Sequence, residues 1–256
     1  MKLTVLYLGH IACKRDALIA CDDKDAPIKS PISAVLFQDS QVGNILFDTG
    51  NSPFFSTEYS AETLSTYPIP EFVSIEDALA MHGLACGDID AIVLSHLHFD
   101  HVGGLRYFRG TKAMERVYVS ESELKNAYWQ VMTGHAGAYT KCLFDFAGVC
   151  YRTFNGTLKL SDDLSFFVQS SHTPGLSGFV AHTKSKGVVI APSDAVYTRE
   201  SYDRELPPGG RINKTIDEFY DNLAMLKDMQ RRNDALMFFG HDYDQVCAWA
   251  SAGPIE

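Results

Sequence analysis

The sequence contains no apolar run near the roughly 18–20 residues that crossing a bilayer requires, so no membrane span is expected. It also lacks a basic excess: Lys and Arg number 22 against 32 Asp and Glu, a net charge of −10. That balance disfavours a sequence-independent grip on nucleic acid and docking on an anionic membrane, both of which need clustered cations. No two of the six cysteines stand as C-x-x-C. Cys13, Cys21, Cys86, Cys142, Cys150 and Cys247 are scattered, which favours reduced thiols over a disulfide framework. The opening "MKLTVLYLGH" alternates like a strand, and Gly9, His10, Lys14 and Arg15 break it too early for a secretory leader. A cytoplasmic protein is expected. Linkers and low-complexity stretches are missing too, which points to a single domain over residues 1–256.

What is present suits a large α/β core, with 46% apolar and 21% charged residues. Strands are predicted at Leu3–Leu8, Ile32–Gln38 and Asn44–Phe47, the last two forming a hairpin through "DSQVGN". Residues 51–73 read as a long surface loop, and Ser74 as the cap of a short helix ending at Gly83. Further strands are predicted at Ile89–Leu94, Val117–Ser120, Leu158–Leu160, Leu164–Ser170, Gly178–Thr183, Gly187–Ala191 and Ala235–Phe239. Helical spacing marks "ESELKNAYWQVM" and "TIDEFYDNLAMLKDMQRR", where Ile216, Phe219, Leu223, Leu226 and Met229 share a face. Strands followed by helices, twice over, fit two sheets with helices outside: a four-layer αββα sandwich.

The chemistry concentrates in "LSHLHFDHVGG", residues 94–104, where three histidines and an aspartate follow an apolar strand. His96 and His98 alternate, so their side chains can point the same way; Asp100 and His101 follow at the turn into a helix. Neutral imidazoles with a carboxylate suit borderline divalent ions, zinc above all. The plainer alternative is a solvated polar loop. His172, Asp194 and His241 each come just past the end of an apolar strand, where residues from different strands meet on one rim of a sheet.

H-x-H-x-D-H followed by His, Asp and His at wide intervals resembles the metallo-β-lactamase superfamily. "SHLHFDHVGG", "SHTPG", "DAVYT" and "FFGHD" are most similar to its N-acyl homoserine lactonases. The resemblance implies the αββα metallo-β-lactamase sandwich and two divalent ions, most simply zinc. It puts one ion on His96, His98 and His172, the other on Asp100, His101 and His241, and Asp194 between them. It further implies a small-molecule lactone substrate attacked by a hydroxide shared between the ions. Tyr197 would donate to the substrate carbonyl, and Asp100 would pass a proton to the leaving ring oxygen. Asp48 in "FDTG" is expected to orient the ligand loop or an imidazole, its alternative being a turn former before Gly50.

The third motif departs from the family's His-Thr-Pro-Gly-His-x-x-Gly-His. Here Leu176 and Phe179 stand where histidines are common, which is expected to alter the surroundings of the site rather than its ligands. Phe54, Phe55, Tyr59, Tyr67, Phe99, Tyr128 and Trp129 are candidates for an apolar acyl groove, or for core and lid packing; Phe99 and Tyr197 are the tentative substrate contacts. His10, His82, His135 and His182 receive no role. Hydrolysis of another lactone is the main alternative on the same metal site, and a thioesterase of the hydroxyacylglutathione hydrolase type is a further one. Against it, only fifteen residues follow His241 and none is Lys or Arg. A true β-lactamase, a nuclease and a flavodiiron protein fit less well, since a thiol ligand, a basic groove and a glutamate in the first motif are all missing. A non-enzymatic binding protein would have lost ligand positions, and all seven are filled.

Overall fold

Alternation along the strands decides which face each side chain takes, and with it the layering. In the computed structural model, residues 1–209 and 216–256 are described. Strands β1 (Lys2–Lys14), β2 (Pro27–Asp39), β3 (Gly43–Phe47), β4 (Glu71–Phe72), β5 (Ala91–Val93), β6 (Val117–Ser120) and β7 (Tyr151–Phe154) form one sheet, in the order β4-β1-β2-β3-β5-β6-β7. Strands β8 (Thr157–Lys159), β9 (Leu164–Gln169), β10 (Leu176–Thr183), β11 (Gly187–Ala191) and β12 (Leu236–Met237) form the second, in the order β12-β11-β10-β9-β8.

Val35, Phe37, Ile45, Phe47 and Val93 face Phe166, Phe179, Ala181 and Val189 of the second sheet, with Phe37 and Phe179 edge to face at 4.9 Å. The intervening Leu36, Leu46 and Ile92 turn the other way, onto Ile75, Ala78, Leu105 and Phe108 of the outer helical layer. On the far side Ile190 packs under Phe219, Leu223 and Leu226 of the Ile216–Asn233 helix. The result is the expected helix–sheet–sheet–helix order. Thr215 and the side chain of Ile216, expected to begin that helix and its apolar face, lie outside the described residues.

Three stretches differ from the sequence expectation. Residues 51–73 are not one loop: they hold the helices Phe55–Glu58 and Ala61–Thr66 and the short strand β4. The second helix has a local cap, Ser60 Oγ accepting the Thr63 N–H at 3.0 Å, that a Pro- and Tyr-rich composition obscures. β7 is an additional edge strand. The Tyr243–Ala252 helix, capped by Asp242, follows His241 directly. Among the described residues no helix is long and apolar enough to cross a membrane.

Candidate metal centre

The site lies where strands of both sheets end. Phe47 and Val93 are register partners on parallel neighbours β3 and β5, so Asp48 and Ser95 leave the first sheet side by side. Ile190 and Met237 are likewise partners on β11 and β12, which delivers Asp194 and His241 from adjacent strands. His172 comes from the turn between β9 and β10. The His101 segment is held close by short-range packing. Thr49 N–H and Oγ1–H both donate to the His101 carbonyl, at 2.7 and 2.9 Å. The two glycines of "HVGG" make this possible: a Cβ on Gly103 would sit 2.2 Å from Ser52 N, and one on Gly104 2.2 Å from Thr49 O.

All seven expected ligands converge. His96 Nε2 and His172 Nε2 lie 3.1 and 2.9 Å from His98 Nδ1. Asp100, His101 and His241 form a second group, and His96, His101 and Asp194 a third between them, each with its ligand atoms within 4.8 Å of one another. Asp194 divides its oxygens. Oδ2 lies 3.7 Å from His96 Nε2 and 3.6 Å from His172 Nε2; Oδ1 lies 3.4 Å from His101 Nε2 and 3.3 Å from His241 Nε2. Donors about 2.0–2.1 Å from a tetrahedral ion stand about 3.3 Å apart, so these spacings suit the edges of such cages.

Proton placement tests the fit more sharply. Ser95 Oγ donates to Asp48 Oδ2 at 2.7 Å, so at 2.9 Å it must accept from His96 Nδ1–H. Asp48 Oδ2 accepts from His101 Nδ1–H at 2.8 Å, and the Pro31 carbonyl from His241 Nδ1–H at 3.0 Å. With the outer nitrogens protonated, the Nε2 atoms of His96, His101 and His241 in their neutral forms present lone pairs inward. His101 Nε2 is buried without a hydrogen-bond partner. Lone pairs converging on carboxylates are what a cation needs and what a packed core avoids.

Electrostatics point the same way. Burial opposes charge on Asp194, yet His101, His241 and His96 outweigh it and hold the carboxyl well below the usual range. Burial also opposes protonation of His101, but Asp194, Asp100 and Asp48 raise it well above an ordinary imidazole. His96 and His172 go the other way: burial drives both down, His172 to about 4.

The remaining expected residues fall around this centre. Asp48 Oδ1 also accepts the Ser95 N–H at 2.7 Å. It does so from a left-handed backbone, φ 61°, as does Ser193 beside Asp194, φ 50°; each costs about 1–3 kcal/mol. Tyr197 is buried, its hydroxyl 3.0 Å from His172 Nδ1. Phe99 is buried between Tyr59 and Tyr67, with ring centroids at 4.9 and 6.1 Å. Burial, and behind it the Asp100 carboxylate, raise the Tyr67 phenol and push the Cys13 thiol up to about 12. Tyr128 packs instead on Phe144 in the outer layer, and Trp129 is 59% exposed against His135. Leu176 and Phe179 are core residues of the outer and inter-sheet layers. Sequence reading missed Ser95, Ser30 and Pro31, whose contacts with the imidazoles arise only in the fold.

Fold and centre together define the class: residues 28–241 match the metallo-β-lactamase superfamily, and the chain belongs to it. The chain is similar to "N-acyl homoserine lactonase AiiB" of Agrobacterium fabrum, at 27% identity over 96% of this chain and 95% of the relative. It is also similar to "N-acyl homoserine lactonase AiiA" of Bacillus thuringiensis subsp. kurstaki, at 27% identity over 81% and 80%. A solved N-acyl homoserine lactone hydrolase, with N-hexanoyl-L-homoserine bound at its catalytic metal center, superposes with a TM-score of 0.82 at 23% identity, over 96% and 95% of the two chains.

Proposed function

We propose that this chain is a dinuclear metal-dependent hydrolase that opens the ring of N-acyl homoserine lactones. The observation that carries the reading is the division of the Asp194 carboxylate between two sets of inward-facing imidazoles, one oxygen to each. His96, His98 and His172 would hold one ion, Asp100, His101 and His241 the other, and Asp194 both; five imidazoles and two carboxylates favour zinc. Such a pair supplies, when bound, an ionised water at neutral pH and a Lewis acid for a carbonyl oxygen.

The chain's own residues supply the rest. Burial, then the Asp194 carboxylate, holds the Tyr197 phenol well above its ordinary value, so it stays a neutral donor. Its hydroxyl can accept from His172 Nδ1–H and donate to the lactone carbonyl oxygen as negative charge gathers there. Asp100 lies with His101 and His241, where it can take up and return a proton. The water oxygen would bond to the carbonyl carbon and its remaining proton would pass to Asp100; the ring C–O bond would break, and Asp100 would return that proton to the departing oxygen. The acid product ionises, so each turnover releases one proton. Phe99, next in sequence to Asp100, and Tyr67, its ring centroid 6.1 Å from that of Phe99, would flank the substrate. The names of the relatives support the substrate class. Six cysteines without disulfides fit a cytoplasmic protein.

The test is a panel of acyl homoserine lactones, γ-lactones, thioesters and phosphodiesters, followed by proton release. Acyl homoserine lactones should turn over fastest; turnover of thioesters alone would reject the substrate while leaving the centre standing.

A further inference from the structure

Behind the centre lies a buried carboxylate with no part in the chemistry above. Glu123 is fully buried on the Glu121–Met132 helix. The helix starts with Ser120, whose Oγ accepts the Glu123 N–H at 3.1 Å. Ser-x-x-Glu ordinarily turns the glutamate back onto the cap residue's own N–H. Here Glu123 Oε1 accepts two other donors: the N–H of Leu97, between His96 and His98, at 2.9 Å, and the Tyr139 hydroxyl at 3.1 Å.

Tyr139 in turn sets its ring against His98, with centroids 4.5 Å apart, and pairs with it through a backbone bridge. The same helix start also holds the third histidine's loop. Ser120 Oγ donates to the Gly175 carbonyl at 2.6 Å, and the Thr173 hydroxyl lies beside the Glu123 carboxyl without meeting hydrogen-bond geometry. Gly175 approaches so closely that a Cβ there would stand 2.2 Å from Glu123 N. One helix terminus thus braces the loops of His96, His98 and His172. His101 and His241 lean instead on Asp48 and Pro31.

We propose that Glu123, with Tyr139 as its extension, is a positioning residue for one half of the dinuclear centre. It sets how tightly the His96, His98 and His172 side holds its ion while leaving the Asp100, His101 and His241 side unchanged. The inference rests on the metal reading above and is independent of the substrate. Loss of a group that orients ligands typically weakens metal binding about 10–100-fold.

The experiment is a chelator titration of fully loaded protein, counting metal per chain, with visible absorption of the cobalt(II)-loaded form alongside. E123Q should move one release phase to about 10–100-fold lower chelator and perturb half of the cobalt spectrum. Y139F, which keeps the ring and removes only the hydroxyl, should shift the same phase less. D100N should move the other phase, which assigns the two. E121Q, an exposed change on the same helix, should move neither. Release of both ions at the parent midpoints in E123Q and Y139F, or a joint shift of both phases, overturns the proposal. A parent that binds no metal overturns it together with the hydrolase reading; a parent that binds two ions and ignores lactones overturns only the substrate.

Discussion

At the scale of single residues, the seven candidate ligands were legible because each follows a strand, and strand ends must meet at a rim. Their supports were not. Nothing in the sequence shows that the Pro31 carbonyl would meet His241, since 210 residues separate them. Glu123 was hidden by a local pattern that reads as ordinary helix capping. Phe179 stands where the family often has histidine, but its ring lies between Phe37 and Phe47. F179H should therefore add no metal ligand. It should destabilise by about 1–3 kcal/mol, as a buried imidazole without a partner, measured by chemical denaturation at constant metal. Y197F removes the donor to the carbonyl oxygen and should lower kcat/KM about 100-fold, with metal per chain near the parent value. The His172 contribution to the pH dependence of the metal-stripped protein has a definite sign. His172 titrates near 4 in the fold and at 6.5 when unfolded, so the unfolded chain takes up the proton first. Its contribution is complete above pH 6.5 and is lost as pH falls toward 4, at about 1.4 kcal/mol per pH unit. His96, lowered by burial, acts in the same sense, and Asp100, raised by burial, in the opposite one. Thermal melts from pH 7 to 4 in chelator should show the decline.

At the scale of elements, strands with clean alternation were predictable, and the β2–β3 hairpin pairs as expected, from Val35 with Phe47 to Asp39 with Gly43. Residues 51–73 were not, because their short helices are held by contacts from outside. Tyr59, for example, donates its hydroxyl to the Phe99 carbonyl at 3.0 Å. Tyr128 and Trp129 illustrate a related point: composition identifies rings but not the face of the helix that carries them, and these two meet Phe144 and His135. The packing of "HVGG" yields a clear test. G103A would drive a methyl into the 51–52 backbone and should cost about 1–3 kcal/mol or more, with metal loss as a secondary effect. G87A, where no atom lies within 4 Å, should stay within about 0.5 kcal/mol of the parent. Urea unfolding of both proteins decides it.

At the scale of the whole molecule, the order of layers followed from strands then helices, repeated. The crossing point between sheets did not, because β7 is short and its outward residues are exposed. That crossing has a practical meaning. The chain passes from the first sheet to the second at Asn155–Gly156, between β7 and β8. Residues up to that point carry His96, His98, Asp100 and His101, and those beyond it carry His172, Asp194 and His241. Two polypeptides divided there would each own an incomplete set of donors. Their reunion would be driven by the divalent ions as well as by the apolar interface, and so would be undone by a chelator: a split enzyme with a built-in ionic switch.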